Sequence, residues 1–100
     1  MAFQRVALLN DVPPGEMLGV AMGRKQIVLC NVDGAVHAMD GVCPHMGGPL
    51  DHGALHGSVV VCPYHAWEFD CVRGANRMDG SPQKKYPAVV RGADILVDAG

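Results

Sequence analysis

Three features are missing from this 100-residue sequence, and each absence argues against a class of proteins. No apolar stretch approaches the ~18 residues that a membrane helix requires, and the N-terminal residues lack the apolar core and cleavage site of a secretory signal peptide. The formal net charge is −2 with histidine neutral, and no run of lysine or arginine occurs, which argues against a nucleic-acid-binding surface. We therefore expect a cytoplasmic protein that binds neither a membrane nor nucleic acid.

The sequence also lacks a sustained helical period, because its apolar residues come in short runs separated by turn residues. These runs predict strands at residues 3–9, 17–22, 26–32, 35–39, 58–62, 66–72, 84–90 and 94–97. Between two of them, Asp33-Gly34 predicts a type I′ hairpin turn, which needs positive φ at both central residues. A chain of this length buries one modest core, so we predict a single all-β domain over residues 1–100 with antiparallel strands.

Two irregular segments interrupt the strand pattern. Residues 41–50 are rich in glycine and proline and have no period, and residues 74–82 form a second irregular loop. Loops of this composition usually enclose a functional group rather than merely connect strands. We therefore expect the functional part of the chain to lie within about residues 41–82.

The four cysteines fall into two kinds. Cys30 and Cys71 lie inside apolar runs and are predicted to pack in the core as small hydrophobic residues. Cys43 and Cys62 instead stand beside prolines and histidines. Because disulfides are rare in cytosolic proteins, metal binding is the expected role of this second pair.

The two loop cysteines each have a histidine nearby. Cys43-x-His45 and Cys62-x-x-His65 are separated by sixteen residues, and each pair offers one thiolate and one imidazole from a tight loop. The proline directly after each cysteine restricts the loop backbone, and the glycine pair in the first loop permits close backbone approach. Two such loops facing each other present two sulfur and two nitrogen ligands to a metal centre.

These loops resemble the two halves of the Rieske motif. Residues 43–48 read Cys-Pro-His-Met-Gly-Gly and residues 62–67 read Cys-Pro-Tyr-His-Ala-Trp, and the similarity extends over nearly the whole chain. The resemblance implies a small antiparallel β-sandwich or barrel base with an inserted cluster-binding subdomain of loops. It also implies one [2Fe–2S] cluster, with Cys43 and Cys62 on one iron and His45 and His65 on the outer iron. A third loop at Ser81-Pro82 is expected to cover that cluster.

Neighbouring residues indicate the class of Rieske protein. High-potential respiratory members carry an extra cysteine in each loop and hydroxyl donors after the second ligand histidine. The corresponding positions in this sequence are Gly48, Tyr64, Trp67 and Phe69. Without a loop disulfide and hydroxyl donors, charge on the sulfur ligands is less stabilised, so the resemblance is to the low-potential, oxygenase-associated class.

The other titratable residues have simpler interpretations. A Cys₂His₂ zinc site has the same ligand types, but zinc fingers place both histidines on a helix, whereas here each loop combines one cysteine and one histidine. His37, His52 and His56 are predicted to be solvated or packed rather than ligands. Lys84-Lys85 is predicted to be the exposed start of a strand rather than a docking patch.

The functional prediction follows from the resemblance to Rieske ferredoxins. An oxygenase needs a mononuclear iron site on a further large domain, and this chain of 100 residues is not expected to contain one. We predict a monomeric electron carrier, not an enzyme, which passes single electrons from a flavin-containing reductase to a terminal ring-hydroxylating oxygenase. The alternatives are a small Rieske-like subunit of a nitrite-reductase type of enzyme and a non-catalytic, metal-stabilised interaction module.

Overall fold

The computed structural model describes residues 2–44, 47–64 and 66–99. Within these ranges the chain forms strands and two short 3-10 turns, Leu9–Asp11 and Leu50–His52. The strands are β1 Gln4–Leu8, β2 Met17–Met22, β3 Lys25–Val32, β4 Ala35–Asp40, β5 Ala54–His56, β6 Val59–Val61, β7 Glu68–Asp70, β8 Ala75–Asn76, β9 Lys85–Tyr86, β10 Ala88–Arg91 and β11 Asp94–Val97. No helix within the described part of the chain is long and apolar enough to cross a membrane.

The strands pair into antiparallel sheets. The orders are β1-β11-β10, β2-β3-β4-β9 and β5-β6-β7-β8. The predicted all-β, antiparallel class is therefore confirmed. Residues 41–50 lead from β4 of the second sheet toward β5, and residues 62–67 join β6 to β7, so the third sheet carries the two predicted ligand loops.

Strand β3 is the centre of the molecule and is buried on both faces. Val28 and Cys30 pack in one core with residues of the third sheet, including Phe69. Ile27 and Leu29 pack in a second core against strands of the first sheet. Burial of each such aliphatic side chain contributes about 1.5–3 kcal/mol, so β3 holds the sheets together. One strand thus supports both the base of the molecule and the sheet that carries the loops.

The hairpin predicted at Asp33-Gly34 is confirmed. Val32 pairs with Ala35, and the two residues between them have φ values of 53° and 93°. The turn is stabilised further because the Gly34 amide donates a 2.8 Å hydrogen bond to the side-chain oxygen of Asn31. Local sequence was sufficient to determine this turn.

The prediction of a single strand at residues 84–90 is wrong. It is divided at Pro87 into β9, which pairs with β4, and β10, which pairs with β11. Proline has no amide hydrogen, so it cannot continue the ladder, and the chain passes here from the second sheet to the first.

Two strands were not predicted, and several are shorter than predicted, most of all the one at residues 66–72. Strands β5 and β8 contain three and two residues, so neither shows an alternating pattern of useful length. The strand predicted at residues 66–72 is only Glu68–Asp70, because Ala66 has a positive φ of 56° and a turn begins at Cys71.

Candidate metal centre

The first predicted ligand loop is closed by hydrogen bonds of its own backbone. The Cys43 amide donates to the Gly48 carbonyl at 2.9 Å, and the Gly47 amide donates to the Cys43 carbonyl at 2.8 Å. At the base of the loop, the Leu50 amide donates to the Gly41 carbonyl at 2.9 Å. Gly47 has a φ of 70°, a conformation that side-chain-bearing residues rarely adopt. The loop therefore holds Cys43 in a defined position.

The second predicted ligand loop is closed in a similar way. The Cys62 amide donates a 2.7 Å hydrogen bond to the Trp67 carbonyl. The Tyr64 amide lies 3.4 Å from the Cys62 Sγ and donates to it. A backbone N–H pointing at sulfur favours the thiolate, which is the form that binds metal. Ala66 has a φ of 56°, so this loop stores backbone strain next to His65.

The two loops meet at their cysteines. Cys43 and Cys62 are 0% and 2% exposed and pack in the same buried core. A Cβ built on Gly48 would lie 3.0 Å from the Cys62 Sγ and 2.9 Å from a ring carbon of Tyr64. Glycine is therefore needed at position 48, since its backbone lies directly against the sulfur. The close backbone approach predicted for the first loop is present.

The electrostatics of this pair fit a metal centre. Burial raises the pKa of the Cys62 thiol, and the Tyr64 amide, which lowers it, opposes this only in part. Two buried thiols that lose their protons need a positive charge nearby, and a metal ion supplies it. Thiolate ligands suit iron–sulfur clusters and zinc. The donor set therefore accommodates the iron side of a [2Fe–2S] cluster.

The predicted histidine ligands lie outside the described residues. His45 and His65 are both in this group, so their assignment as ligands stays a prediction. The nearest described residues on either side of them are exposed: Pro44, Gly47, Tyr64 and Ala66. In the ranges that are described, no group of three or more His, Cys, Asp or Glu residues forms a competing metal site.

The remaining cysteines are core residues, as predicted. Cys30 on β3 and Cys71 after β7 are both 0% exposed and belong to the core beneath the loops. The two thiols contact each other, and this contact together with burial raises the pKa of Cys30. Packing thus accounts for both residues.

The three other histidines lie in different surroundings. His37 on β4 is half-buried, and its Nδ1 lies 3.3 Å from the Nζ of Lys85. His52 and His56 are exposed, and the His52 Nε2 lies 3.4 Å from a carboxylate oxygen of Asp51. These surroundings agree with the prediction of solvated or packed histidines.

The prediction for the lysine pair holds for only one of its members. Lys84 is exposed, but Lys85 begins β9 and is half-buried, with its Nζ donating a 2.7 Å hydrogen bond to the Val72 carbonyl. The internal hydrogen bond explains the difference, because it draws the ammonium group against the protein rather than into solvent.

One residue of the site was missed by the sequence analysis. Gln83 follows the Ser81-Pro82 loop and is buried, and its side-chain amide donates to backbone carbonyls at the base of the first ligand loop. A glutamine between one proline and a lysine pair gives no periodic or motif signal. Only the tertiary contact identifies it.

Comparison with known proteins agrees with this arrangement. The family model described as Rieske [2Fe-2S] domain matches residues 2–90. The chain is 32% identical over 92 residues to the ferredoxin component of the naphthalene 1,2-dioxygenase system of Pseudomonas aeruginosa, covering 90% of this chain and 88% of that one. It is 36% identical over 102 residues to the biphenyl dioxygenase ferredoxin subunit of Pseudomonas sp. (strain KKS102), covering 98% and 93%.

A solved structure gives the same result for the fold. The ferredoxin of carbazole 1,9a-dioxygenase from Nocardioides aromaticivorans IC177 matches with a TM-score of 0.87 and 30% sequence identity. The match covers 97% of this chain and 97% of that one. The three ferredoxin chains named here are thus matched over 88–97% of their length.

Proposed function

This chain belongs to the Rieske [2Fe-2S] domain family, and we propose that it carries single electrons to a terminal oxygenase through one Rieske-type cluster. It is an electron-transfer protein rather than an enzyme, as are the ferredoxin components that it matches over 88–97% of their length. The observation that carries the proposal is the meeting of two buried loop thiols, Cys43 and Cys62, with the Gly48 backbone against one of them.

For the cluster we propose four ligands. Cys43 and Cys62 ligate the inner iron, and His45 and His65 ligate the outer iron. Support for the cysteines comes from their burial in the same core. Support for the histidines comes from the Rieske motif and from the exposure of the residues that flank them. An outer iron at an exposed loop tip is accessible to a redox partner.

The cluster supplies reversible one-electron chemistry, and the residues of this chain set the conditions for it. The core beneath the two buried cysteines excludes water from the inner side of the site, because it includes Leu50, Val60 and Phe69. The Tyr64 amide donates to the Cys62 Sγ and withdraws electron density from that sulfur. The closed backbone of each loop limits the movement of the ligands when the charge changes.

The proposed partners are those of an oxygenase system. The relatives named above are components of naphthalene, biphenyl and carbazole dioxygenase systems. We propose that a flavin-dependent reductase donates the electron and that a ring-hydroxylating oxygenase accepts it. Docking is proposed around His45, His65 and residues 46–49, where Tyr64 is 48% exposed and offers an aromatic contact. We also propose that residues 1–100 form one cytoplasmic, monomeric domain.

Metal analysis and electron transfer test the proposal together. The purified protein is expected to be red-brown and to contain about two irons and two acid-labile sulfides per chain. Stopped-flow absorbance is expected to show its reduction by a flavin-dependent ferredoxin reductase and its reoxidation by an oxygenase of the ring-hydroxylating class. One bound zinc without sulfide would contradict the cluster. A full cluster that no oxygenase of this class reoxidises would contradict the role as carrier.

A further inference from the structure

Gln83 is a buried polar residue with an unusual set of contacts. The residue directly follows the irregular segment 74–82 and is only 6% exposed. The Nε2 atom lies 3.0 Å from the carbonyl oxygen of Asp40 and 3.0 Å from that of Val42, and it donates to both. Both hydrogens of one amide group are therefore engaged by backbone on a different segment.

The two carbonyls belong to the stem of the first ligand loop. Asp40 is the last residue of β4, and Val42 directly precedes Cys43. Because the amide spans carbonyls two residues apart, it fixes the direction in which the backbone leaves the strand and enters the loop. Removing the side-chain amide would leave two partly buried carbonyl oxygens without this donor, which would lower the free energy of unfolding.

The backbone of Gln83 is attached to the turn after β7, the strand that follows the second ligand loop. Its amide donates to the Gly74 carbonyl at 2.8 Å, and the Gly74 amide donates to the Asp70 carbonyl at 2.7 Å. Asp70 ends β7, the strand that follows the second loop. Gln83 thus connects the stem of the first ligand loop with the turn after β7.

We propose that Gln83 is a positioning residue for the cluster, holding the stem of the first loop so that Cys43 faces Cys62. This inference rests on the proposed ligation by those two cysteines. A fixed stem keeps the two ligand loops in register, and it resists displacement of the inner ligands when an electron arrives or leaves. Gln83 therefore limits both loss of the cluster and heterogeneity of its geometry.

Asn31 provides a matched control. It is also a buried amide, 2% exposed, and it makes two hydrogen bonds to backbone, donating to the Val12 carbonyl and accepting from the Gly34 amide at 2.8 Å each. It lies near the end of β3, whereas the loop stem contacts the start of that strand at Gln26. Five residues of extended strand separate the two positions by about 17 Å.

The test compares Gln83→Met with Asn31→Leu in the full-length, cluster-loaded protein. Each change removes the amide at similar side-chain volume. Measured quantities are the rate of iron release to a chelator, the electron paramagnetic resonance spectrum of the reduced protein, and the free energy of unfolding. For Gln83→Met we expect iron release about tenfold faster than in the wild type, equivalent to about 1.4 kcal/mol, and a broadened spectrum. For Asn31→Leu we expect the wild-type spectrum and release within about twofold.

The inference is overturned if Gln83→Met keeps the wild-type spectrum and its iron release follows global stability as in Asn31→Leu. Should Gln83→Met not fold, Gln83→Asn is measured instead, because its shorter amide can reach only one of the two carbonyls. A broadened spectrum in Gln83→Asn supports the inference, and a wild-type spectrum overturns it. Absence of iron and sulfide from the wild-type protein is a different result, which refutes the proposed function itself.

Discussion

At the scale of single residues, the cysteines of this protein differ in their surroundings rather than in their burial. Cys43 and Cys62 are as inaccessible as Cys30 and Cys71, since all four are 0–2% exposed. The first pair lies in hydrogen-bonded loops, with the Tyr64 amide donating to one sulfur. The second pair lies on or next to strands and packs in the core. The loop backbone therefore determines the surroundings of the first pair, and core packing determines those of the second.

Substitution of each cysteine by serine tests this division. Cys43→Ser and Cys62→Ser are expected to lose the cluster and the order of the loops, because metal binding is coupled to folding there. Cys30→Ser and Cys71→Ser are expected to keep the visible spectrum and to lower the free energy of unfolding by about 1–2 kcal/mol. Iron content and denaturant titration measure both effects. Loss of the spectrum in either core variant would refute the assignment.

The adjacent glycines of the first loop give a second test at this scale. In Gly48→Ala the new methyl group would meet the Cys62 Sγ and the Tyr64 ring at 2.9–3.0 Å, so we expect most of the cluster to be lost. In Gly47→Ala nothing lies within 4 Å of the new Cβ, although the φ of 70° costs about 1–2 kcal/mol. That variant is expected to keep its iron. Equal iron content in the two variants would contradict the close approach of Gly48 to sulfur.

At the scale of elements, the short strand β9 joins parts of the fold that are distant in sequence. It pairs with β4, and its first residue, Lys85, contacts both His37 and the Val72 carbonyl beyond β7. The next strand belongs to another sheet, because Pro87 ends the ladder. This arrangement places a half-buried histidine beside a lysine at the boundary between two sheets.

The half-buried imidazole of His37 makes stability depend on pH. Burial, followed by the positive charge of Lys85, lowers the pKa of His37 from 6.5, while Asp70 opposes the shift. Below about pH 6.5 the unfolded state therefore binds more protons than the folded state. The contribution of His37 to the free energy of unfolding is fully present above that pH and is lost as the pH decreases. In His37→Gln we expect a weaker loss of unfolding free energy between pH 7.5 and 5.5, measured by denaturant titration.

His56→Gln is the control for this prediction. His56 is exposed on β5, so its substitution is expected to leave the pH dependence of the wild type unchanged. A His37→Gln protein with the same pH dependence as the wild type would refute the assigned role of the half-buried histidine.

At the scale of the whole molecule, one strand serves two cores. The inner faces of the sheets meet at β3, so the loops that hold the proposed cluster rest on the same strand as the base. The two ligand loops contact each other through Gly48 and Tyr64, the positions at which the high-potential class carries a disulfide. An aromatic ring against a glycine thus joins the loops without a covalent bond.

The midpoint potential is expected to reflect this replacement. With Gly48, Tyr64, Trp67 and Phe69 in place of cysteines and hydroxyl donors, less negative charge on sulfur is neutralised, and reduction is less favourable. We expect a midpoint on the order of −150 to −100 mV, in the lower part of the family range. Potentiometric titration at neutral pH measures it, and a value above zero would contradict the argument from these four positions.

Features that depend on neighbouring residues could be predicted from the sequence alone. The Asp33-Gly34 turn, the antiparallel all-β class and the Cys-x-His and Cys-x-x-His pairs follow from spacing and local conformation, so they could be predicted without a structure. The core role of Cys30 and Cys71 was equally predictable, since each lies within an apolar run.

Features that depend on residues distant in sequence required the folded chain. The division at Pro87 requires two different partner strands, and the two-residue strand β8 exists only because Phe69 and Asp70 pair with it. Gln83 contacts Asp40 and Val42 across more than forty positions, as the separations of 43 and 41 show. Hydrogen bonds between such segments leave no periodic trace in either one, so their partners become visible only when the chain is folded.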